Sequence, residues 1–225
     1  MIADNLNKIK SVLPEHVKLV AVSKTVSADR ILEAYGTGQK IFGENKVQEL
    51  TAKYNELPKD IKWHMIGHLQ TNKVKFIVPF ISLIHSVDSF KLLEIINKES
   101  ERISIITNCL LQVHIAEEQT KFGFNESEIR QMLGSEAYKN LKNVRISGLM
   151  GMATFTDNVS KVRGEFHALS ELFKTLKIDF FSHVEYFKEL SMGMSSDYKI
   201  GIEEGSTMVR IGTDIFGSRN QNLAN

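Results

Sequence analysis

The chain has 225 residues, 28 Lys+Arg against 27 Asp+Glu, and a formal charge of +1. That balance excludes a nucleic-acid binder working through a general basic surface, and 42% hydrophobic content excludes wholesale disorder. The length allows two small domains or one large α/β domain, and excludes a full barrel joined to a sizeable second domain.

The N-terminal stretch MIADNLNKIKSVLPEHVK predicts a polar helix over about 1–14, without the uninterrupted apolar core of a signal peptide. The first apolar run, Val17–Lys24, leads into a helix over Ala28–Tyr35, where Ile31, Leu32 and Tyr35 recur at helical spacing. A second run, Lys40–Asn45, precedes helix-like VQELTAKYNEL, and Trp63–Gly67 precedes NKVKFIV. Ser82–Ser89 precedes FKLLEIINKESE; the long apolar run Ile103–Ile115 has strand-like ends but no clear limits. Asn125–Gly134 predicts a helix with a polar start, and Val144–Met152 a strand. Asn158–Lys177 is helix-like, with Val162, Phe166, Leu169, Leu172, Phe173 and Leu176 on one face. KELSMGM, SSDYKIGIEEG and TMVRIGTDIFG end the pattern as strand, helix, strand.

About eight β units separated by helices imply a parallel sheet, and that number suggests a closed (β/α)8 TIM barrel. The open doubly wound alternative usually carries a glycine-rich loop after its first strand, whereas here that turn is SKTVSAD. The expectation is a single α/β barrel domain over 1–225, with a short C-terminal tail over about 219–225. No run approaches the roughly 20 apolar residues that span a bilayer. The single Cys109 can form neither an intramolecular disulfide nor a multi-Cys zinc site, and its apolar run predicts a buried, inert thiol. A cytoplasmic protein with no membrane or nucleic-acid partner is expected.

Lys24 follows the apolar LVAVS at the C-terminal end of the first strand, the end where barrels of this class build their sites. A partly desolvated lysine there can lose its proton and attack an aldehyde; the plain alternative is a salt-bridged lysine at a strand end. Ser195 and Ser196 mark a strand-to-helix junction with Asp197 near the cap, where free N–H groups and hydroxyls favour an anion. Gly212 lets backbone approach a ligand closely and Thr213 adds a hydroxyl, in the second of two final loops placed opposite Lys24. Arg210 lies two residues before Gly212, on the same side of the strand. An inward arginine is costly unless paired or ligand-bound, so it either joins a salt bridge, with Glu44 or Glu185, or donates to a ring nitrogen. His64 and His68 stand four apart, but on a strand end rather than a helix, so no metal site is expected. His85 is expected in the barrel or on its rim, bonded to neighbours, and Glu203 and Glu204 on a solvated face.

Together VAVSKT, FGENKVQE, WHMIGHLQTNK, HSVDS, SGLMGM, LSMGMSSD and GSTMVRIGTDIFG resemble the YggS/PROSC family of pyridoxal 5'-phosphate (PLP) homeostasis proteins, related to the alanine racemase barrel domain (fold type III). The motifs run in order from Val20 to Gly217. The resemblance implies that Lys24 holds PLP as an internal aldimine, while Ser195, Ser196, Gly212 and Thr213 hold its phosphate. Arg210 is implied to face the pyridine nitrogen, where an always-charged donor keeps that atom unprotonated and weakens the ring as an electron sink. Asn45 is implied as partner of the ring hydroxyl and Met152 as lying along one ring face, with Met65 and Met192 completing the apolar wall. In QVHIAEEQTKFGF, His114 and Gln119 stand where the family usually has asparagine and serine.

In alanine racemase a second domain, from a partner subunit, supplies an opposing catalytic tyrosine, and racemisation needs acid and base on both cofactor faces. With 225 residues taken up by one barrel, no such domain is expected, nor catalytic turnover. The expected protein is a monomeric PLP carrier that influences vitamin B6 and amino-acid pools, with PLP-dependent apo-enzymes as candidate recipients. The competing readings are a PLP-dependent racemase or lyase of low activity, and a Schiff-base aldolase using Lys24 on a sugar phosphate.

Overall fold

Residues 1–116 and 122–217 are described by a computed structural model, in which eight parallel strands close on themselves in sequence order. Helix α1 (Ile2–Val12) leads into β1 (Lys18–Val22), α2 (Ala28–Gly36), β2 (Ile41–Glu44), α3 (Val47–Glu56) and β3 (Lys62–Met65). A 3-10 turn over Thr71–Lys73 and α4 (Val74–Ile77) connect to β4 (Leu83–Val87), then α5 (Phe90–Glu101) and β5 (Thr107–Val113). There follow α6 (Glu126–Gly134), α7 (Glu136–Lys139), β6 (Val144–Gly151) and α8 (Val159–Phe181). The barrel ends with β7 (Glu189–Met194), α9 (Tyr198–Glu203), β8 (Met208–Ile211) and α10 (Thr213–Phe216). Strands β1 and β8 close the ring, with Val20 opposite Arg210 and Ala21 opposite Ile211. The architecture is the (β/α)8 TIM barrel that the alternation of strands and helices implies.

Two apolar cores follow from the period-two alternation of each strand. The larger lies between strands and helices and contains Phe42, Trp63, Phe166 and Phe187, each fully buried. The smaller fills the barrel interior with Val20, Leu83, Leu110, Met150 and Met208, flanked by Ile41 and Met152. Helix α8 shows the logic: Val162, Phe166, Leu169, Leu172 and Leu176 form its buried stripe. Its start is capped by Asn158, whose side chain accepts from the Lys161 N–H at 3.1 Å. Helix α6 begins with a full capping box between Asn125 and Glu128.

Three local expectations are corrected. The run Ile103–Ile115 is strand only over Thr107–Val113, because Ser104 adopts a left-handed turn at φ 56° before it. TMVRIGTDIFG does not stay extended: β8 stops at Ile211, and the four-residue α10 follows Gly212. Met65 and Met192 belong to the outer core, not to a wall of the site. Glu203 lies on a solvated face as expected, while the half-buried Glu204 and Glu203 both pair with Arg163 from α8, Glu204 also standing 3.0 Å from His167 Nδ1. Among the described residues, no helix is long and apolar enough to cross a membrane.

Candidate functional site

Strand polarity brings the predicted residues to one mouth of the barrel, the one formed by the strand C-termini. Lys24 lies two residues beyond β1, Asn45 one beyond β2, Met152 one beyond β6, and Ser195 and Ser196 directly beyond β7. Gly212 and Thr213 follow β8, with Arg210 inside that strand. Because β1 pairs with β8, the Lys24 turn and the Gly212 loop are neighbours across the barrel seam rather than opposite each other. Gly212 needs its missing side chain, since a Cβ there would meet the Val22 carbonyl oxygen at 3.1 Å.

The lysine turn is held from behind. Thr25 has φ 64°, a left-handed conformation disfavoured by roughly 1 kcal/mol in a residue with a Cβ. Its N–H donates to Glu49 Oε1 at 2.5 Å, and Lys53 Nζ donates to the Ser23 carbonyl at 2.7 Å. Lys53 also bonds Glu44 Oε1 at 2.8 Å and Glu49 Oε1 at 2.6 Å, while Ser23 Oγ donates to Glu44 Oε1 at 2.6 Å. Burial pushes the Glu44 carboxyl above its ordinary range, against the pull of Lys53. This buried cluster fixes both residues that flank Lys24. Sequence reasoning missed it, although Lys53 falling on the apolar stripe of α3 beside Val47 and Leu50 is a usable signal.

Asn45 is fixed by backbone contact: a Cβ at Gly67 would lie 2.5 Å from the Asn45 carbonyl oxygen, so glycine permits the close approach. The β7 and β8 loops touch, the Gly212 N–H reaching Ser195 Oγ at 3.4 Å. Asp197 Oδ1 accepts from the Met194 N–H at 2.5 Å and sets the turn that carries Ser195 and Ser196. Met152 is half-buried and packs on the interior apolar cluster.

Arg210 is 4% exposed and, among the described residues, forms no ion pair with a carboxylate. Its Nη1 donates to the Ser191 carbonyl at 2.9 Å and to Ser191 Oγ at 2.6 Å, and its Nη2 to the Gly151 carbonyl at 3.0 Å. The salt-bridge alternative is therefore overturned: Glu44 faces α3 outside the barrel, and Glu185 lines the opposite mouth. Burial pushes the guanidinium down to about 10, with Asp197 acting the other way, so it stays charged at neutral pH. Behind Arg210 runs a chain that sequence reasoning did not foresee. Ser191 Oγ is 3.0 Å from His85 Nδ1, and His85 Nε2 is 2.9 Å from His64 Nδ1. His85 is thus an interior residue bonded to its neighbours, as expected, and burial holds both imidazoles neutral at ordinary pH.

The remaining candidates lie elsewhere. His68 is exposed, 2.9 Å from Asp88 and stacked on Phe122, whereas His64 points into the barrel. Cys109 is fully buried, and burial pushes its thiol up. His114 donates its N–H to the Phe124 carbonyl at 3.0 Å, and Gln119 lies outside the described residues.

Set against known proteins, residues 1–220 match the alanine racemase N-terminal domain family. A pyridoxal phosphate homeostasis protein of Aquifex aeolicus is 40% identical over 203 residues, covering 90% of this chain and 87% of that protein. PipY of Synechococcus elongatus, solved with PLP bound, superposes with a TM-score of 0.88 at 36% identity, covering 96% of this chain and 100% of PipY. Alanine racemase from E. faecalis shares the fold at 16% identity, with a TM-score of 0.72 over 97% of this chain and 58% of the racemase.

Proposed function

The chain belongs to the pyridoxal phosphate homeostasis family, built on the alanine racemase N-terminal barrel, and from that membership we propose that it binds PLP at the strand C-terminal mouth and serves intracellular vitamin B6 and amino-acid homeostasis. The carrying observation is Arg210: a buried guanidinium held by protein carbonyl and hydroxyl oxygens, under the pull of the Asp197 charge and with N–H donors to spare, on the strand beside Lys24. Buried N–H donors left unused are costly unless a ligand supplies the acceptor. Among the described residues the bonds to Ser191 and Gly151 use three of the five guanidinium N–H groups, so Nε–H and one Nη2–H are the donors left, and Nε–H is the one assigned to the ring nitrogen.

The donor set fits PLP. Ser195, Ser196, Thr213 and the Gly212 N–H supply hydroxyl and amide donors for a phosphate, and Asn45 an amide for the ring hydroxyl. Met152 supplies an apolar contact for a ring face. Lys24 would hold the cofactor through its amine, and PLP, when bound, would supply the aldehyde carbon for that link. The Ser23, Glu44, Lys53 and Glu49 cluster holds the lysine turn at the rim, so that the amine meets the aldehyde without a search over backbone conformations. Arg210 holds its own protons, anchored by three acceptors, and leaves the ring nitrogen as an acceptor.

An unprotonated ring is a poor electron sink, which limits the carbanion chemistry the site supports and is common to the storage and racemase readings. A cytoplasmic monomer, one domain over 1–225, that hands PLP to apo-enzymes completes the proposal. The shared racemase fold keeps a second reading in play, a weak racemase or lyase. Incubating loaded protein with single L-amino acids in deuterium oxide separates the two: enzyme-like deuterium incorporation at Cα overturns storage. For the site itself, the wild-type protein is expected to show a visible absorption band of bound PLP that Lys24→Ala abolishes. Persistence of the band in the variant would overturn the role of Lys24.

A further inference from the structure

The opposite, strand N-terminal mouth carries a cavity of about 450 Å³ that the cofactor reading leaves unused. Lys62, Arg145 and Lys188 line it, and none of the three pairs with a carboxylate among the described residues. Lys18 and Glu189 neutralise each other on its wall, which leaves Glu185 as the only unpaired acid there. Arg145 is steadied over the Tyr186 ring at 5.1 Å. Three cations against one acid at this mouth make a site of positive potential.

The second observation is His64, 5% exposed and lining the same cavity. Its Nδ1 is bonded to His85, whereas its Nε2 has no partner among the described residues. With Arg210 donating to Ser191 Oγ, the order that uses the Ser191 hydroxyl proton within the chain has it donate to His85 Nδ1, and His85 Nε2–H then donates to His64 Nδ1. That order leaves a proton on His64 Nε2, a neutral donor at the cavity end of the chain. Burial, then Lys18 and Lys62, push the His64 imidazole down to about 3, in keeping with a floor that already feels positive charge.

We propose that this mouth is a second ligand site, which takes a small oxyanion, a phosphate or a carboxylate, on Lys62, Arg145 and Lys188 with His64 Nε2–H as the floor donor. The site does not depend on the identity of the cofactor at the other mouth. To test it, inorganic phosphate and succinate are titrated separately into PLP-loaded, 15N-labelled protein while the His64 imidazole resonances are followed, assigned with His64→Gln. At least one anion is expected to move them saturably, and the one that does identifies the oxyanion class. In Lys62→Ala/Lys188→Ala, which alters two exposed side chains, affinity is expected to fall by about tenfold or more. The Lys24→Ala variant is expected to give the same His64 response, so failure of the cofactor reading would leave this result standing. An unsaturable shift with both anions, or the same affinity in the double variant, would overturn the proposal.

Discussion

Gly148→Ala is expected to abolish cooperative folding. Gly148 sits in β6 at φ 151°, and a Cβ there would lie 1.7 Å from the Glu189 carbonyl oxygen and 2.7 Å from its carbon. Both obstructing atoms are backbone of β7, so no rotamer change makes room. The β5–β6 register already shifts between Cys109 and Leu110, and Gly148 is the residue that takes up the shift opposite Leu110. Moving β6 away would break the barrel wall that carries Met152 and the Gly151 carbonyl that anchors Arg210. The destabilisation is expected to exceed about 4 kcal/mol, the size reserved for backbone strain combined with overpacking. Thermal unfolding followed by circular dichroism checks it: the expected variant is insoluble or lacks a cooperative transition. A melting temperature within a few degrees of wild type would show that the close β6–β7 approach is not required.

Lys53→Met is expected to cost about 3–5 kcal/mol at neutral pH, because it removes one partner of a buried ion pair and strands the other. Glu44 is fully buried, and its Oε2 already lacks a hydrogen-bond partner. The sign of the pH dependence follows from the raised Glu44 carboxyl. A carboxyl whose folded-state pKa lies above its unfolded value favours folding below the unfolded value, and that contribution is lost as pH rises through the folded one. Removing Lys53 takes away the attraction that opposes burial, so the folded value climbs further and the window of loss moves toward neutrality. Urea unfolding over a pH series should therefore show the variant recovering stability on acidification relative to wild type. Glu44→Leu added to Lys53→Met should restore much of the loss at pH 7. A pH-independent deficit, or no rescue in the double variant, would contradict the ion-pair account.

The barrel was legible because each strand is short, apolar and followed by an amphipathic stretch, and the whole chain keeps that rhythm. The mouth was legible for a related reason: Lys24, Asn45, Ser195 and Gly212 all stand just after apolar runs, where strand polarity must gather them. What escaped the sequence depended on closure. The approach of Lys53 to Ser23 links residues 30 apart on different elements: the place of Lys53 on the apolar stripe of α3 marks it as buried, but nothing local names its partner. His64, His85 and Ser191 share the interior only once β3, β4 and β7 curve into one ring; before that, each is a polar residue in a four- to six-residue strand. Alternation could have placed the methionines. Met65 follows the inward His64 and Met192 follows the inward Ser191, so both must face the helices. The short α10 was hidden because TDIF after Gly212 is too brief to show a helical period.

The account rests on a covalent link at one lysine, and one measurement addresses that link directly. The protein is loaded with PLP, reduced with borohydride, digested, and the modified peptide is located by mass spectrometry. The predicted result is a single stoichiometric pyridoxyl adduct on the peptide containing Lys24, absent from Lys24→Ala. An adduct confined to another lysine, or none after loading, would contradict it.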